Sequence, residues 1–426
     1  MLRLLTGNIL DRRNFVKTLK LREISELKTG PFGTQFSAKE YVSEGIPVIN
    51  VKNIGYGNII SEGLDYVGNS TLERLSEHKL KTGDIVFGRK GSVDRHCLIT
   101  KEQDGWMQGS DCIRVRLTDA SVYSNFISYY LLTDAVKTKI NNSAVGSTMA
   151  SLNTDILGDV DINLPGYEEQ YKIASVLSTI DQKIEKNKEI NDYLYQMAKT
   201  IYDYWFVQFD FPDKNGKPYK SSGGTLKNGL PIGWNYVPIK NICNILSGFS
   251  FQSDDYVQNG KYKLLTIKNV QDTGINLDVD NYINILPENM PDFCKLDIGS
   301  ILMSLTGNVG RVGILYDSNC LLNQRVSLMQ AKNPIVTPFI YCLLKSSKMR
   351  YILESLATGT SQKNLSPIEA GNIMIPYDSE IVKNFSKKVT PLIDSIITNL
   401  KENNNLTNLR EWLLPMLMNG QATIEN

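Results

Sequence analysis

The sequence repeats itself at an offset of about half its length, and this repeat limits the fold more than any other feature. The segment RKGSVDR (89–95) returns as LTGNVGR (305–311), with glycine, valine and arginine in matching order 216 positions apart. An offset this long indicates duplication of a whole domain, since solenoid repeats are only about 20–50 residues long. We therefore expect two similar halves.

Further segments match in the same order along the chain. Alternating apolar runs within them, such as PVINV and SILMSL, are typical of strands, so each half is expected to be a mixed α/β globule of roughly 150 residues. The matching segments are 21–33 with 239–251, 45–55 with 261–271, 82–95 with 298–311, 126–132 with 339–345, 145–153 with 358–366, and 162–165 with 373–376.

A long helix is predicted after each half. Residues 168–208 contain no glycine or proline, and side chains recur there at alternating intervals of four and three, the spacing of a coiled-coil seam. Two asparagines in each seam indicate a fixed register. The alternative is that each helix packs only on its own domain, and a break is expected near Pro415. The predicted seam residues are Ile173, Leu177, Ile180, Ile184, Asn187, Asn191, Leu194 and Ile201, then Val389, Leu392, Ile396, Asn399, Asn403 and Leu406.

These patterns predict an α+β protein with a pseudo-twofold internal repeat, in which two tandem mixed α/β domains are separated by two long coiled-coil helices. If the helices pair antiparallel, they hold the domains at a fixed separation. This arrangement suits the recognition of two short sites on one linear polymer. The predicted boundaries are 1–165 for an N-terminal segment and the first domain, 166–210 for the first helix, 211–235 for a linker, 236–376 for the second domain and 377–426 for the distal helical region.

Composition excludes little. The chain is 42% hydrophobic and 21% charged with a net charge of +1, which is ordinary for a globular protein and does not by itself indicate nucleic acid. Six scattered cysteines without a CxxC pair favour reduced thiols and a cytoplasmic protein. No apolar stretch approaches the about 20 residues of a membrane span, so no membrane association is expected.

Sequence patterns of common catalytic sites are missing. The only histidines are His78 and His96, too few for a conventional histidine metal cluster. Neither a phosphate-binding GxxxxGK[ST] loop nor a GxSxG elbow occurs. We therefore expect no catalytic residue, metal site or cofactor in this chain.

The repeated glycine loops are the candidate binding surface. Glycine lets backbone N–H groups approach a phosphate, and arginine or lysine neutralises it or binds guanine. The second copy keeps the glycines but has other side chains around them, as expected of two domains that recognise different DNA sequences. Each loop alone also fits a tight turn with solvated charges. The candidate DNA-binding residues are Lys52, Asn53, Arg89, Lys90, Ser92, Arg95, Ser147 and Thr148, then Lys268, Asn269, Thr306, Asn308, Arg311, Gln324, Arg325, Thr360, Ser361 and Gln362.

Over essentially its whole length the chain resembles the specificity (S) subunit of type I restriction-modification systems. Besides the glycine loops, the resemblance is carried by INLPGYEEQYKIASVLSTIDQKIEKN (162–187), IYDYWFVQFDF (201–211) and LREWLLPMLMNGQ (409–421). The second copy, IPYDSEIVKNFSKKVTPLIDSI (375–396), departs from the pattern because it lacks the Glu-Gln pair.

That resemblance implies two target-recognition domains, each binding one half of a bipartite double-stranded DNA site, and an antiparallel helix pair that sets the gap. It implies two methyltransferase (M) subunits docked on the helices and two restriction (R) subunits. S-adenosylmethionine, ATP and magnesium are then expected on those partners, which methylate adenine at N6 and cut DNA. Two alternatives are an autonomous DNA-modifying enzyme and a non-catalytic coiled-coil adaptor.

Overall fold

The chain forms two compact units. The computed structural model describes residues 2–4, 17–144, 150–359 and 362–424. The first unit comprises Met1–Gln182 with Leu406–Asn426, and the second is Lys183–Asn405. The globular part of the first unit, residues 17–164, is called the first repeat below, and residues 235–377 of the second unit are called the second repeat.

The first repeat is built on two small sheets. In spatial order the larger one contains Ser25–Thr29, Cys112–Leu117, Ile85–Gly88, His96–Leu98 and Tyr56–Gly57, and the smaller one contains Met107–Gln108, Ile46–Ile49, Asp65–Val67 and Tyr41–Val42. Ile49 of the smaller sheet packs with Val86 and Cys97 of the larger sheet in one buried cluster. The central strand Ile85–Gly88 is buried at every position, as its unbroken apolar run predicts.

Short helices and two antiparallel strand pairs accompany these sheets in the first unit. Lys17–Lys20 pairs antiparallel with Asp161–Leu164, so the two ends of the first repeat meet. Leu2–Leu4 pairs antiparallel with Ala422–Ile424. The helices are Leu21–Ile24, Asn69–Arg74, Ser124–Leu131, Asp134–Ser143 and Thr154–Gly158.

The second repeat also has two small sheets, each of four strands, although the larger sheet of the first repeat has five. Its two sheets have the orders Cys243–Ser247, Val326–Ala331, Ile301–Ser304, Val312–Ile314 and Tyr282–Ile283, Tyr262–Leu265, Cys320–Leu322, Lys295–Leu296. Even the parallel pairing of Ile46–Ile49 with Met107–Gln108 returns, as Tyr262–Leu265 with Cys320–Leu322. The predicted duplication and the mixed α/β class are therefore confirmed.

The remaining elements of the second unit are short strand pairs and helices. Asn235–Pro238 pairs antiparallel with Met374–Tyr377 and closes the repeat. Short antiparallel pairs join Leu226–Lys227 with Leu230–Pro231 and Val270–Gln271 with Gly274–Ile275. The helices of the repeat are Thr337–Lys345, Ser347–Leu356 and Pro367–Gly371.

Two long helices follow the repeats. The first spans Tyr167–Tyr202 and continues into a π-helical turn, Asp203–Val207, and the second spans Ser379–Met418. The expected break near Pro415 is wrong, since the second long helix runs on to Met418. Proline removes one helical hydrogen bond, the one that the nitrogen of residue 415 would donate to the carbonyl of Glu411, and the helix continues across this single loss for three more residues.

An aromatic core joins the end of the first long helix to the second repeat inside the second unit. The ring centroid of Phe206 lies 4.8 Å from that of Phe339 and 5.1 Å from that of Phe385. Trp205 packs edge-on against Phe385 at 5.8 Å. Such pairs add about 0.5–1.5 kcal/mol each beyond their burial, which gives the segment IYDYWFVQFDF a structural role.

The long helices pair antiparallel within the second unit. Asn187 Nδ2 donates to Asn403 Oδ1 at 2.9 Å, and Asn399 Nδ2 donates to Asn191 Oδ1 at 2.9 Å. Partner numbers fall along one helix as they rise along the other, so the direction is antiparallel. In the first unit, Arg410 Nη1 lies 2.8 Å from Asp181 Oδ1. The helices therefore do more than pack on their own domains.

The predicted seam is buried to different degrees. Its asparagines bond to one another across the helix pair, which favours one register over a slipped pairing. Fully buried positions are Ile173, Leu177, Ile180, Ile184, Asn187, Val389 and Ile396, and half-buried ones are Asn191, Leu194, Ile201, Leu392, Asn399, Asn403 and Leu406.

Candidate nucleic-acid interface

In the first repeat, residues 150–152, at the described end of the second predicted glycine loop, lie beside the first loop. Gly91 N donates to Ala150 O at 3.1 Å, and Leu152 N donates to Arg89 O at 2.8 Å. Gly91 has a φ of +79°, a left-handed conformation that glycine adopts without steric cost. Two segments 60 residues apart in the chain thus form one surface.

The second repeat builds the same junction. Gly307 N donates to Lys363 O at 2.8 Å, and Leu365 N donates to Leu305 O at 2.8 Å. Gly307 has a φ of +73°. Backbone bonds at equivalent positions hold both junctions, so the frame of the candidate surface is duplicated while its side chains differ.

A third duplicated element is the Lys-Asn turn, residues 51–53 and 267–269. Asn53 Nδ2 donates to Ile60 O at 3.0 Å and to Glu62 O at 3.3 Å. Asn269 Nδ2 donates to Asn276 O and Asp278 O at 3.0 and 2.9 Å. Both asparagines are buried. Their amides hold the turn together, which does not favour a direct contact with DNA.

The lysines of these turns are exposed and ion-paired. Lys52 Nζ lies 2.9 Å from Asp65 Oδ2, and Lys268 Nζ lies 2.8 Å from Asp280 Oδ2. The hydrogen bond from Lys52 is the main reason why the pKa of Asp65 is lowered. Exposed pairs of this kind contribute little to stability, about 0–1 kcal/mol, so both lysines can turn to another anion at small cost.

In the second repeat an open cleft of about 680 Å³ gathers five of the predicted residues. Hydroxyl, amide and cationic groups line it together, the mixture that can bond both phosphates and base edges. Thr306 Oγ1 donates to Asn364 Oδ1 at 3.1 Å at its rim. The predicted residues in the cleft are Lys268, Thr306, Asn308, Arg311 and Gln362.

In the first repeat the predicted cations lie around the glycine loop. Lys90 Nζ pairs with Asp111 Oδ1 at 3.1 Å. The guanidinium carbon of Arg95 lies 5.2 Å from the centroid of the Tyr56 ring, within the range of a cation–π contact. Ser92 is exposed on the same loop.

Other predicted residues are placed elsewhere or are not described. Gln324 and Arg325 are exposed on the turn between Cys320–Leu322 and Val326–Ala331, and they do not line the cleft. The predicted residues Ser147, Thr148, Thr360 and Ser361 lie outside the described residues.

Sequence reasoning missed the partners of the loop arginines. Tyr56 and Lys137 accompany Arg95, whereas Asp272 pairs with Arg311, 3.0 Å between Oδ2 and Nη2. The sequence does contain a signal for these partners, because Tyr56 and Asp272 are separated by 216 positions, the same offset that separates the glycine loops. A search for identical residues passes over it, since tyrosine and aspartate differ.

Gln170 also has a role that the sequence did not specify. Its Oε1 accepts from Tyr123 N at 2.9 Å, and its Nε2 donates to Ser121 O and Pro165 O at 3.1 and 2.9 Å. The side chain is buried and holds a loop of the first unit against the start of the first long helix. The equivalent position of the second long helix is Val382, which is fully buried in an apolar core, so no glutamine is needed there.

The described residues bring no three His, Cys, Asp or Glu side chains into an arrangement that could hold a metal ion. Across the described ranges, every helix is too short or too polar to cross a bilayer.

Comparison with known proteins gives concordant matches over both halves. The family described as type I restriction modification DNA specificity domain matches residues 15–196 and 231–408. The chain is 27% identical over 412 residues to the type I restriction enzyme MjaIX specificity subunit of Methanocaldococcus jannaschii, covering 95% of this chain and 93% of that protein. It is 21% identical to the HindI specificity subunit of Haemophilus influenzae, covering 87% and 94%. The crystal structure of the S subunit from M. genitalium shares the fold, with a TM-score of 0.60 at 18% identity over 94% of this chain and 96% of that one.

Proposed function

This chain belongs to the family of type I restriction-modification DNA specificity subunits, and we propose that each of its repeats binds one half of a bipartite double-stranded DNA site. The observation that carries this proposal is the glycine-loop junction, which is built twice with equivalent backbone bonds and different side chains. A shared backbone keeps the surface in place, while the side chains change the hydrogen bonds offered to bases. An adaptor or an autonomous modifying enzyme is not favoured by the family match.

The two repeats offer different chemistry to DNA. The first presents mainly cations, among them Arg89, Lys90 and Arg95, which suit guanine O6 and N7 or phosphates. The second adds Asn308 and Gln362, whose amides match the N6 and N7 atoms of adenine. We assign the exposed turn lysines to phosphates, because a flexible ammonium group positions DNA without reading its sequence.

An exposed apolar stripe on the first long helix is the proposed docking surface for a methyltransferase subunit. Ile190, Tyr193, Met197 and Tyr204 are exposed, Tyr193 by 71%. Their spacing of three, four and seven residues puts them on one flank of the helix. Contiguous exposed apolar residues of this kind mark protein interfaces.

Reaction chemistry is assigned to the partners. Two methyltransferase subunits would carry S-adenosylmethionine, and two restriction subunits would carry ATP and magnesium. The present chain would select the DNA sequence on which they act. Family membership supports this division of roles, together with the docking stripe.

The experiment that tests the proposal is mapping of methylated adenines by long-read sequencing in a host that expresses this chain with its cognate methyltransferase subunit. Expression of the methyltransferase subunit alone is the control. A new motif of two short half-sites around a non-specific gap is expected. No new motif, although the complex is shown to assemble, would contradict the proposal.

A paired variant assigns the first repeat to one half-site. Arg89→Ala with Lys90→Ala should relax one half-site, since a lost bidentate base contact costs about 1–3 kcal/mol. The other half-site should be read as before. Unchanged stringency at both half-sites would remove these two residues from the reading surface.

A further inference from the structure

The arginine at the end of each glycine loop is held by a side chain at one matching position in both repeats. Arg95 corresponds to Arg311, and Tyr56 corresponds to Asp272, both at an offset of 216 residues. A second supporting side chain comes from the helices Asp134–Ser143 and Ser347–Leu356. The same three-part arrangement thus occurs twice, with an aromatic ring at its centre in one repeat and a carboxylate in the other.

In the first repeat the centre is the ring of Tyr56. The guanidinium carbon of Arg95 lies 5.2 Å and Lys137 Nζ lies 5.6 Å from its centroid. Tyr56 Oη donates to Asp94 Oδ2 at 3.4 Å, and Lys137 also pairs with the exposed Asp134 at 3.1 Å. A cation over a ring face is attracted to the whole face, so this contact restrains Arg95 without fixing each of its N–H groups.

In the second repeat the centre is the carboxylate of Asp272. Its Oδ2 lies 3.0 Å from Arg311 Nη2, and its Oδ1 accepts from Arg350 Nη1. Arg350 Nε is held in turn by Glu354 at 2.8 Å, and Lys345 Nζ donates to the backbone oxygen of Asp272 at 3.2 Å. The pKa of Asp272 is lowered, chiefly by its hydrogen bond with Arg350. Asp272 therefore stays ionised and holds Arg311 by a directional contact.

Arg311 lines the cleft together with Asn308 and Gln362, so its orientation decides which donors face a ligand there. An ion pair that engages one Nη directs the rest of the guanidinium fork. We propose that Asp272 is a positioning residue that aims Arg311 at the second half-site, and that Tyr56 does the same for Arg95 at the first. This proposal rests on the proposed function, since it specifies how each repeat orients one of its DNA-reading residues.

The test uses the whole complex and the same methylation map. Arg311→Ala is made first, and the half-site that it relaxes is the one read by the second repeat. Asp272→Ala should relax the same half-site by about tenfold, the scale of one lost base contact. Asp272→Tyr introduces the residue type that the first repeat has at the equivalent position, and it should recover part of the discrimination at that half-site. Asp317→Asn removes another ion pair of the second repeat, Lys263–Asp317 at 2.9 Å, and should leave both half-sites unchanged.

Each outcome has a defined meaning. Undiminished discrimination by Asp272→Ala, while Arg311→Ala relaxes a half-site, would overturn the positioning role. A tyrosine variant no better than the alanine variant would overturn the equivalence of the two centres. Continued reading of the other half-site shows that a variant complex still assembles on DNA, and Asp272→Asn replaces Asp272→Ala where that reading is lost. Failure of the unaltered chain to give any two-part motif would contradict the proposed function instead.

Discussion

At the scale of residues, the Lys-Asn turn shows why candidate binding residues are hard to separate from structural ones. Lysine and asparagine stand next to each other in both repeats, and both residue types are common at DNA interfaces. Lys52 is exposed, whereas Asn53 is fully buried and bonds to backbone groups. Only the folded structure distinguishes them, because burial depends on contacts that a local pattern does not contain.

We expect Asn53→Ala to destabilise the first repeat by about 1–3 kcal/mol, because the fully buried Asn53 side chain loses its two hydrogen bonds to the carbonyls of Ile60 and Glu62. Lys52→Ala is the matched control and should change stability by no more than about 1 kcal/mol. Urea unfolding of the full chain measures both. An Asn53→Ala chain of unchanged stability whose complex binds DNA more weakly would instead make Asn53 a direct contact.

His96 gives a prediction for pH dependence. The imidazole is fully buried, its Nε2 lies 3.1 Å from Ser128 Oγ, and burial lowers its pKa from 6.5 to about 4. The unfolded state therefore binds more protons between these two values, so stability falls as pH drops from about 6.5 to about 4, by on the order of 3 kcal/mol.

The equivalent residue of the second repeat provides the control for His96. That residue is Val312, 216 positions on, so His96→Val installs an uncharged side chain that the same strand position accepts. Urea unfolding at pH 7 and pH 4.5 should show a smaller loss of stability in the variant than in the unaltered chain. Equal losses would mean that other groups cause the acid sensitivity.

At the scale of elements, local periodicity predicts more than tertiary pairing does. Side chains that recur at intervals of four and three residues, in a segment without glycine or proline, predict the first long helix, which spans Tyr167–Tyr202. The proximity of the two glycine loops was not evident, because residues 60 positions apart meet only through backbone bonds such as Leu152 N to Arg89 O. The loops are recognised from identical residues at equivalent positions of the two repeats. Asp272 is not recognised in this way, because the equivalent residue of the first repeat is a tyrosine.

The exposed stripe of the first long helix gives a prediction at this scale. Tyr193→Glu with Met197→Glu places two charges on the proposed docking surface and should weaken binding of the methyltransferase subunit by tenfold or more, since a buried unpaired charge is costly. The matched control is Lys188→Glu with Gln196→Glu, which changes two exposed positions of the same helix that lie off this stripe.

Co-purification and native mass spectrometry measure this effect. The stripe variant should give complexes that have lost a methyltransferase subunit, while thermal unfolding of the free chain stays nearly unchanged because both altered side chains are exposed. A full complement of methyltransferase subunits on the stripe variant would exclude this surface as the docking site.

At the scale of the whole molecule, the helix pairing is itself self-complementary. Asn187 is equivalent to Asn399, and Asn191 to Asn403, each 212 positions apart. The observed bonds join Asn187 to Asn403 and Asn191 to Asn399, so exchange of the two copies maps one bond onto the other. This is the rule for a twofold interface, and here it operates within one chain. Duplication therefore supplied both helices and the complementarity between them.

This symmetry permits a clean test of whether the helices set the gap between half-sites. Seven residues inserted after position 189 and seven after position 401 lengthen both helices between the two asparagine bonds and keep the pairing on either side in register. Each insertion adds about 10 Å at 1.5 Å per residue, so the gap should lengthen by up to about three base pairs, less whatever DNA bending absorbs. Both half-sites should be read as before in the methylation map. Insertion into one helix alone breaks the register and should abolish the motif, whereas an unchanged gap in the doubly lengthened chain would show that something other than the helix pair sets it.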